Sequence, residues 1–495
     1  MKKFKILSVL LIILMFAALL PVSAMAAEAP EITAKAAVLA NADTGEVYFS
    51  KNAEDRVQPA STTKIMTALL VVEAVEAGSI ALDDKVAAYD DCQYNMDEYS
   101  TNAEPAIEPG ELLSVEELLY CAMLVSANEA CNILAEYVSG SVASFVSAMN
   151  DRAAELGCTG TSFKNANGLE ESGHYTTAAD FALIAQEAVK HTLLLEICGT
   201  LRYTVPETDF AEERELVNTN SLLNPDSSYY FEYAYGIKTG YFTNAGYCLV
   251  SAASLGGMDV VCVVMGGAES GDQFGDTIAI YDWFFDTYSN REVLSSTDTL
   301  MSIPVTLGTT DSTGVRADAS VNVVLPKDFD ISGLKYQVTL YDLQEGEALE
   351  APVNAGEVLG EVTVVMDDEV YGTSYLVATA TVEMSRLEYL RSQLRDLFQA
   401  PVVRRIITLL IILLAIYVLL VVFYYYQRVR HLRSVREAKR QRAYRQAQEE
   451  ADWLDFPEED FEPGIDYFSQ EPEQLPPDKS PDTVRDSYFD SFFKN

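Results

Sequence analysis

Apolar residues between positions 29 and 290 alternate between the two-residue period of strands and the longer period of helices. Residues 36–39 and 46–49 predict a β-hairpin, because a polar turn containing Gly45 separates them. Ser114 and Glu117 have the spacing of a capping box ahead of an apolar run, so a helix is expected to begin there. Further helices are predicted at 62–76, 129–138, 177–190 and 274–288, and adjacent buried strands at 247–252 and 260–265. The pattern predicts a mixed α/β domain over residues 27–292.

The hydrophobic pattern changes after residue 297. Short alternating runs such as 336–340 and 362–366, separated by turn residues, predict a small all-β sandwich domain over residues 298–384. The following segment, 385–403, places its leucines on one helical face beside charged residues. We therefore expect an amphipathic linker helix that leads toward a membrane.

Two long apolar runs lie near the ends of the chain. The first follows Lys2, Lys3 and Lys5 and ends in small residues, which is the pattern of a cleaved signal peptide over residues 1–26; an uncleaved anchor is the alternative. The second, residues 406–426, contains no charge. At about 1.5 Å per residue its 21 residues match a hydrocarbon core of about 30 Å. A single transmembrane helix is predicted there.

Charge around this span predicts its orientation. The segment 427–448 carries eight basic residues against only Glu437, and such clusters stay in the cytoplasm, although Arg404 and Arg405 weaken the contrast. Residues 27–403 are then expected outside the cell, held at the cell membrane by one span. Residues 449–495 hold 15 acidic residues and six prolines, which is typical of a disordered cytoplasmic tail. A tail that docks an unidentified cytosolic partner is the alternative.

Overall composition excludes several classes of function. The chain has 34 Lys+Arg against 75 Asp+Glu, a net charge of −41, which disfavours a nucleic-acid partner. Its three histidines are too few for a multi-histidine metal centre, so we expect no metal and no cofactor, and a catalytic base other than histidine. The seven cysteines include no C-x-x-C pair, and buried free thiols are favoured over a disulfide framework.

A serine and a lysine three residues apart, Ser61 and Lys64, stand where a helix is predicted to begin. At this spacing both side chains share one helical face, so the amine can accept the hydroxyl proton. For that role its pKa must fall toward neutrality, which requires burial and a second cation nearby. The spacing alone is weak evidence, because Ser332 and Lys335 repeat it in the predicted β-domain.

The Ser61–Lys64 spacing becomes specific evidence when it is taken with two further motifs that follow it in the chain. Ser61-x-x-Lys64, Ser126-x-Asn128 and Lys238-Thr239-Gly240 resemble the motifs of penicillin-binding serine DD-peptidases and β-lactamases. The longer stretches 124–130, 165–169 and 236–250 are similar to those of low-molecular-mass D-alanyl-D-alanine carboxypeptidases. The resemblance implies an α/β (α+β) serine DD-peptidase catalytic domain, followed by the small all-β domain common in that group.

The resemblance also implies roles for individual residues. Ser61 would attack the carbonyl of the penultimate D-Ala and form an acyl-enzyme, with Lys64 as its base. Ser126 would relay a proton to the leaving D-Ala, and Asn128 would orient Lys64 and the substrate amide.

The third motif is implied to bind the substrate. Lys238 and Thr239 would hold the terminal carboxylate, and Gly240 would let the strand approach the substrate closely. The backbone N–H groups of Ser61 and Tyr241 would form the oxyanion hole. Some members carry an arginine for the carboxylate where this chain has Thr219.

The implied partners are peptidoglycan stem peptides ending in D-Ala-D-Ala, with β-lactams as covalent inhibitors that acylate Ser61. Two other functions fit the same motifs. A β-lactamase needs a base for rapid deacylation, and no glutamate is assigned to that role by the sequence. A penicillin-sensing receptor would signal through the tail, which contains no recognisable signalling domain.

Overall fold

The computed structural model describes residues 28–96, 100–341, 343 and 347–451. The predicted signal peptide and most of the predicted acidic tail lie outside these residues. The chain divides into two compact units, one up to Tyr389 and one from Leu390 onward.

Within its described residues, the N-terminal domain contains nine strands and seven helices. The strands are β1 (Ala36–Asn41), β2 (Val47–Lys51), β3 (Lys85–Ala87), β4 (Leu112–Ser114), β5 (Arg202–Val205), β6 (Arg214–Val217), β7 (Ala234–Phe242), β8 (Gly246–Leu255) and β9 (Met258–Gly267). The helices are α1 (Lys64–Glu76), α2 (Val115–Leu124), α3 (Asn128–Ser139), α4 (Val142–Glu155), α5 (Ala178–Ala188), α6 (Thr192–Gly199) and α7 (Asp272–Thr287), and a 3₁₀ turn at Ala60–Thr63 precedes α1.

A five-stranded antiparallel sheet with the order β2-β1-β9-β8-β7 forms the centre of this domain. Because successive side chains of a strand point to opposite faces, Val261 and Val263 of β9 pack into the helical cluster that contains α1 and α5. Val260 and Cys262 pack on the other face, against Tyr281 and Phe284 of α7. The sheet is therefore covered on both faces, and β7 is left at one edge.

Several predicted elements of this domain are confirmed. The hairpin is formed by β1 and β2, and the strands predicted at 247–252 and 260–265 pair as β8 and β9. Ser114 and Glu117 form the capping box: Glu117 N donates to Ser114 Oγ at 3.2 Å, and Ser114 N donates to Glu117 Oε2 at 2.6 Å. The predicted helices correspond to α1, α3, α5 and α7 with small shifts at their ends.

The sequence pattern missed α4, α6 and the small hairpins β3–β4 and β5–β6. The predicted strands also left out residues 235–240, which belong to the edge strand β7 of the same sheet. Two glycines and a lysine interrupt the apolar pattern of β7, which explains why periodicity did not identify it.

The second domain is all-β, as expected. Its strands are β10 (Tyr288–Leu294), β11 (Thr299–Thr306), β12 (Ser312–Ala317), β13 (Val321–Pro326), β14 (Lys335–Leu340), β15 (Leu349–Glu350), β16 (Val358–Met366) and β17 (Glu369–Ala378). Six form a sheet with the order β14-β16-β17-β12-β11-β15, and β10 pairs with β13. The runs predicted as strands, 336–340 and 362–366, are antiparallel neighbours with Tyr336 opposite Val364. Val362, Val364 and Leu376 lie in the domain's own buried core.

Two helices end the described chain, α8 (Arg386–Gln399) and α9 (Pro401–Ala451). Helix α8 is the predicted amphipathic segment, and Leu387, Leu390 and Leu394 are exposed on it. Helix α9 contains residues 406–426 and is long and apolar enough to cross a membrane. The predicted basic segment continues the same helix.

All seven cysteines lie in the described part of the N-terminal domain, and each is a buried free thiol, as the sequence predicted. The core of this domain, rather than disulfide cross-links, therefore holds it together.

Candidate active site

The 3₁₀ turn before α1 brings Ser61 and Lys64 together. Lys64 is fully buried, and its Nζ donates to Ser61 Oγ at 3.1 Å. The same ammonium donates to Asn128 Oδ1 at 2.7 Å and to the carbonyl of Asn167 at 2.5 Å. Three oxygen acceptors thus replace the water that the buried ammonium has lost. The two from Asn128 and Asn167 hold the amine in place beside the hydroxyl of Ser61.

Burial changes the acid–base chemistry of two lysines. It lowers the pKa of Lys64 from 10.5 to about 8. Burial and, second, the ammonium of Lys64 lower the pKa of Lys238 to about 7. At pH 7 a pKa of 8 leaves about a tenth of the amine neutral, against about 0.03% for an unperturbed lysine. The predicted requirements for a lysine base, burial and a second cation, are both present.

Ser126 lies in the turn between α2 and α3. It adopts a left-handed backbone conformation with φ = 65°, which is unfavourable for a residue with a side chain. The turn is fixed on the C-terminal side of Ser126, where Ala127 N donates to Cys121 O and Asn128 N donates to Thr101 O, each at 3.0 Å. The hydroxyl of Ser126 is buried and has no hydrogen-bond partner among the described residues. It is therefore available to a ligand.

Strand β7 forms the other side of the site. A Cβ atom on Gly240 would lie 3.0 Å from the backbone nitrogens of Ser61 and Thr62, so glycine allows the strand to approach the nucleophile. Thr239 Oγ1 lies 2.7 Å from Thr219 Oγ1. Tyr241 follows on the same strand with its ring exposed and stacked on Tyr247. The structure thus brings the first and second motifs together around Lys64, and the third beside Ser61.

The sequence patterns did not identify the side-chain network around Asn167, whose carbonyl accepts from Lys64. Asn95, Asn132 and Asn167 form a network of side-chain amides: Asn132 Nδ2 donates to Asn95 Oδ1 at 3.1 Å, and Asn167 Nδ2 donates to the same atom at 3.0 Å. The stretch 165–169 was part of the family resemblance, but no local pattern indicates that the Asn167 carbonyl accepts from Lys64. Only the fold brings these asparagines together.

His174 is a buried loop residue. Its Nε2 lies 3.0 Å from Thr63 Oγ1, and its Nδ1 accepts from Lys164 N at 3.3 Å. Burial lowers its pKa to about 4. It is thus neutral at physiological pH and supports the turn behind Ser61.

Glu73, Glu187 and His191 form a cluster whose ligand atoms are close enough to share a metal ion. Arg152 already pairs with Glu73 at 2.8 Å and with Glu187 at 2.7 Å. An internal cation therefore compensates these carboxylates.

Comparison with known families covers both domains. The family model for D-alanyl-D-alanine carboxypeptidase matches residues 23–269, and the model for the C-terminal domain of penicillin-binding protein 5 matches residues 288–384. D-alanyl-D-alanine carboxypeptidase DacF of Bacillus subtilis is 33% identical over 349 residues, covering 70% of this chain and 85% of the relative. DacA of Escherichia coli K12 is 30% identical over 340 residues, covering 68% of this chain and 81% of the relative.

Comparison with solved structures also finds penicillin-binding proteins. Penicillin binding protein 5 from Haemophilus influenzae superimposes with a TM-score of 0.55 at 26% identity, covering 72% of this chain and 98% of that one. A penicillin-binding protein of Streptococcus pneumoniae, described as a peptidoglycan synthesis regulatory factor, gives a TM-score of 0.58 at 25% identity, covering 72% of this chain and all of that one. The two family models reach residue 384, and neither includes the long apolar helix α9.

Proposed function

Because this chain belongs to the D-alanyl-D-alanine carboxypeptidase family of serine hydrolases, we propose that it removes the terminal D-Ala from peptidoglycan pentapeptide stems through an acyl-enzyme on Ser61. The observation that supports this most is the 3.1 Å contact between Ser61 Oγ and the fully buried amine of Lys64. A buried lysine with a depressed pKa is the base that this chemistry needs when no histidine is at hand.

In the acylation step, neutral Lys64 takes the proton of Ser61 as Oγ attacks the carbonyl carbon of the penultimate D-Ala. Negative charge develops on the carbonyl oxygen, and the backbone N–H groups of Ser61 and Tyr241 are the proposed donors to it. The closeness of Gly240 to Ser61 N supports this assignment, because it keeps the edge of β7 beside the nucleophile.

Collapse of the intermediate breaks the C–N bond, and the leaving amine takes a proton through Ser126. The unpartnered, buried hydroxyl of Ser126 supports a relay role, since nothing else in the described structure competes for it. Asn128 holds Lys64 at 2.7 Å and would orient the substrate amide with its remaining donors. Water then attacks the ester carbonyl and releases Ser61 with its proton.

The terminal carboxylate of the stem peptide is assigned to Lys238 and Thr239. Lys238 is 1% exposed and would contribute a desolvated cation, while Thr239 would donate a hydroxyl. Thr219 lies 2.7 Å from that hydroxyl and is suited to orient it, in place of the arginine found in some members. β-Lactams, which carry a carboxylate beside a reactive amide, would acylate Ser61 in the same position.

We propose further that α9 anchors the enzyme as a single span in the cell membrane, with residues 27–403 outside and the tail in the cytoplasm. The eight basic residues within 427–448 support this orientation. Residues 28–403 hold 59 acidic and 18 basic residues, which keeps this body away from anionic lipid, while the basic segment favours the inner leaflet.

The test uses the full-length protein in detergent with a pentapeptide ending in D-Ala-D-Ala, followed by mass spectrometry. Wild type should lose one D-Ala, and Ser61→Ala should not. Ser332→Ala is the matched control, since Ser332 has the same spacing to a lysine in the β-domain, and it should behave as wild type.

Two results would refute the proposal. Rapid, repeated hydrolysis of a chromogenic cephalosporin without D-Ala release would identify a β-lactamase. A lasting penicillin adduct in a protein that never releases D-Ala would favour a receptor.

A further inference from the structure

Residues 100–111, which we call the strap, run over the first turn of α3. Ala103 and Ile107 of the strap are buried. Its Thr101 carbonyl accepts a hydrogen bond from Asn128 N at 3.0 Å. The strap therefore contacts the residue whose side chain holds Lys64.

Glu129 follows Asn128 and is fully buried. Its Oε1 accepts from the backbone N–H of Ala103 at 2.8 Å and of Ile107 at 3.4 Å. Its Oε2 is buried without a partner among the described residues. Two consecutive residues of α3 thus hold the strap, Asn128 by its backbone and Glu129 by its side chain.

The far part of the strap has a separate anchor. Arg214 and Glu111 form an ion pair at 2.8 Å with both side chains fully buried. Arg214 Nε also donates to the Pro105 carbonyl at 2.7 Å. This anchor does not involve Glu129, so its contacts remain in variants that weaken only the Glu129 contacts.

The position of Glu129 also has electrostatic consequences. A carboxylate in the first turn of a helix is favoured by the helix dipole. Burial raises the pKa of Glu129 above its ordinary value, although its backbone hydrogen bonds and, to a smaller extent, the ammonium of Lys64 act to lower it. Glu129 in turn acts to raise the pKa of Lys64, against the larger effect of burial. The other titratable groups coupled to this pair are Lys238 and the thiols of Cys92, Cys121 and Cys131.

We propose that Glu129 is a positioning residue for the reaction at Ser61, which fixes the strap to the first turn of α3 so that Asn128 stays on Lys64, and which places a negative charge near the buried amine of Lys64. This inference rests on the proposed function, because it assigns Glu129 to the same site. The unpartnered oxygen distinguishes it from a carboxylate whose whole role is to satisfy backbone donors.

Two variants separate the hydrogen bonds of Glu129 from its charge. Glu129→Gln keeps an acceptor oxygen for Ala103 and Ile107 but removes the charge. The acid limb of the kcat profile should therefore move to lower pH, because the protonated form of Lys64 is no longer favoured. Glu129→Asp keeps the charge but is one methylene shorter. Its kcat should fall about 100-fold even at its pH optimum, since Asn128 is displaced from Lys64.

The measurements are D-Ala release and the rate of acylation by a fluorescent penicillin, both against pH, on full-length protein in detergent. Thermal unfolding gives the folded fraction of each variant. Glu136→Gln is the matched control, with the same substitution two turns along α3 at a partly exposed position. It should reproduce the wild-type profile.

The inference is wrong if Glu129→Gln keeps the wild-type acid limb, or if Glu129→Asp loses activity only in proportion to its loss of folded protein. Acylation by penicillin is measured independently of D-Ala release. A wild-type protein that is acylated but releases no D-Ala would therefore refute the proposed function, while the limb of its acylation profile would still test Glu129.

Discussion

The two buried lysines predict a narrow pH optimum. Interacting groups lose their protons in steps that belong to the pair, and the pKa values of about 8 for Lys64 and about 7 for Lys238 place these steps near pH 7 and pH 8. Catalysis needs one proton on the pair: Lys64 must be neutral to accept from Ser61, and Lys238 must be charged to bind the carboxylate. The substrate carboxylate itself favours the form in which Lys238 carries that proton.

The size of the effect follows from these two steps. The singly protonated pair makes up about 60% of the enzyme near pH 7.5 and about 3% at pH 5.5 and at pH 9.5. We therefore expect kcat/KM for D-Ala release to be about 20-fold lower at either extreme than at the optimum. Below pH 7 both lysines are charged and no base is present; above pH 8 both become neutral and the carboxylate loses its cation.

The assay is the initial rate of D-Ala release from a D-Ala-D-Ala peptide between pH 5.5 and 9.5, on full-length protein that remains folded throughout. Lys64→Arg should be inactive at every pH, because a guanidinium stays protonated. Lys238→Gln should bind substrate weakly and keep only the rising limb. A flat profile, or an optimum above pH 9, would refute the reasoning that burial tunes this pair.

Three further substitutions test separate contacts. Gly240→Ala should slow penicillin acylation at least tenfold with little change in melting temperature, since the added methyl would press on the backbone of Ser61; acylation at the wild-type rate would disprove the close approach. Thr219→Val should raise KM for the peptide about 3- to 10-fold with kcat nearly unchanged, because Thr239 loses its hydroxyl partner; steady-state kinetics decide this, and an unchanged KM would contradict it. Arg214→Met should lower the free energy of unfolding by about 3–5 kcal/mol, since it leaves the carboxylate of Glu111 buried and uncompensated. Urea titration measures this loss, which an additional Glu111→Leu change should largely restore.

Contacts between residues close together in the sequence could be predicted from local patterns. The capping box at Ser114 and Glu117 was predictable because its two hydrogen bonds join residues three apart. The Ser61–Lys64 contact was predictable for the same reason, since one helical turn places both side chains on one face.

Contacts between distant segments could not be predicted in this way. The carbonyl of Asn167 lies 103 residues from Lys64, and Ala103 lies 26 residues from Glu129. Neither contact leaves a periodic trace, because each depends on how whole elements pack. Strand β7 was missed for a different reason: Gly236, Lys238 and Gly240 interrupt its apolar pattern, and Gly240 lies against the backbone of Ser61.

The distribution of cysteines makes the native thiols natural reporters of domain opening. Burial raises the pKa of each of the seven thiols, so that in the folded protein they are protonated and shielded from alkylating reagents. All of them lie between Cys92 and Cys262, and the β-domain contains none. The rate of alkylation in mild denaturant therefore times the opening of the N-terminal domain alone, and peptide mapping of the adducts would tell which of its helices or strands opens first.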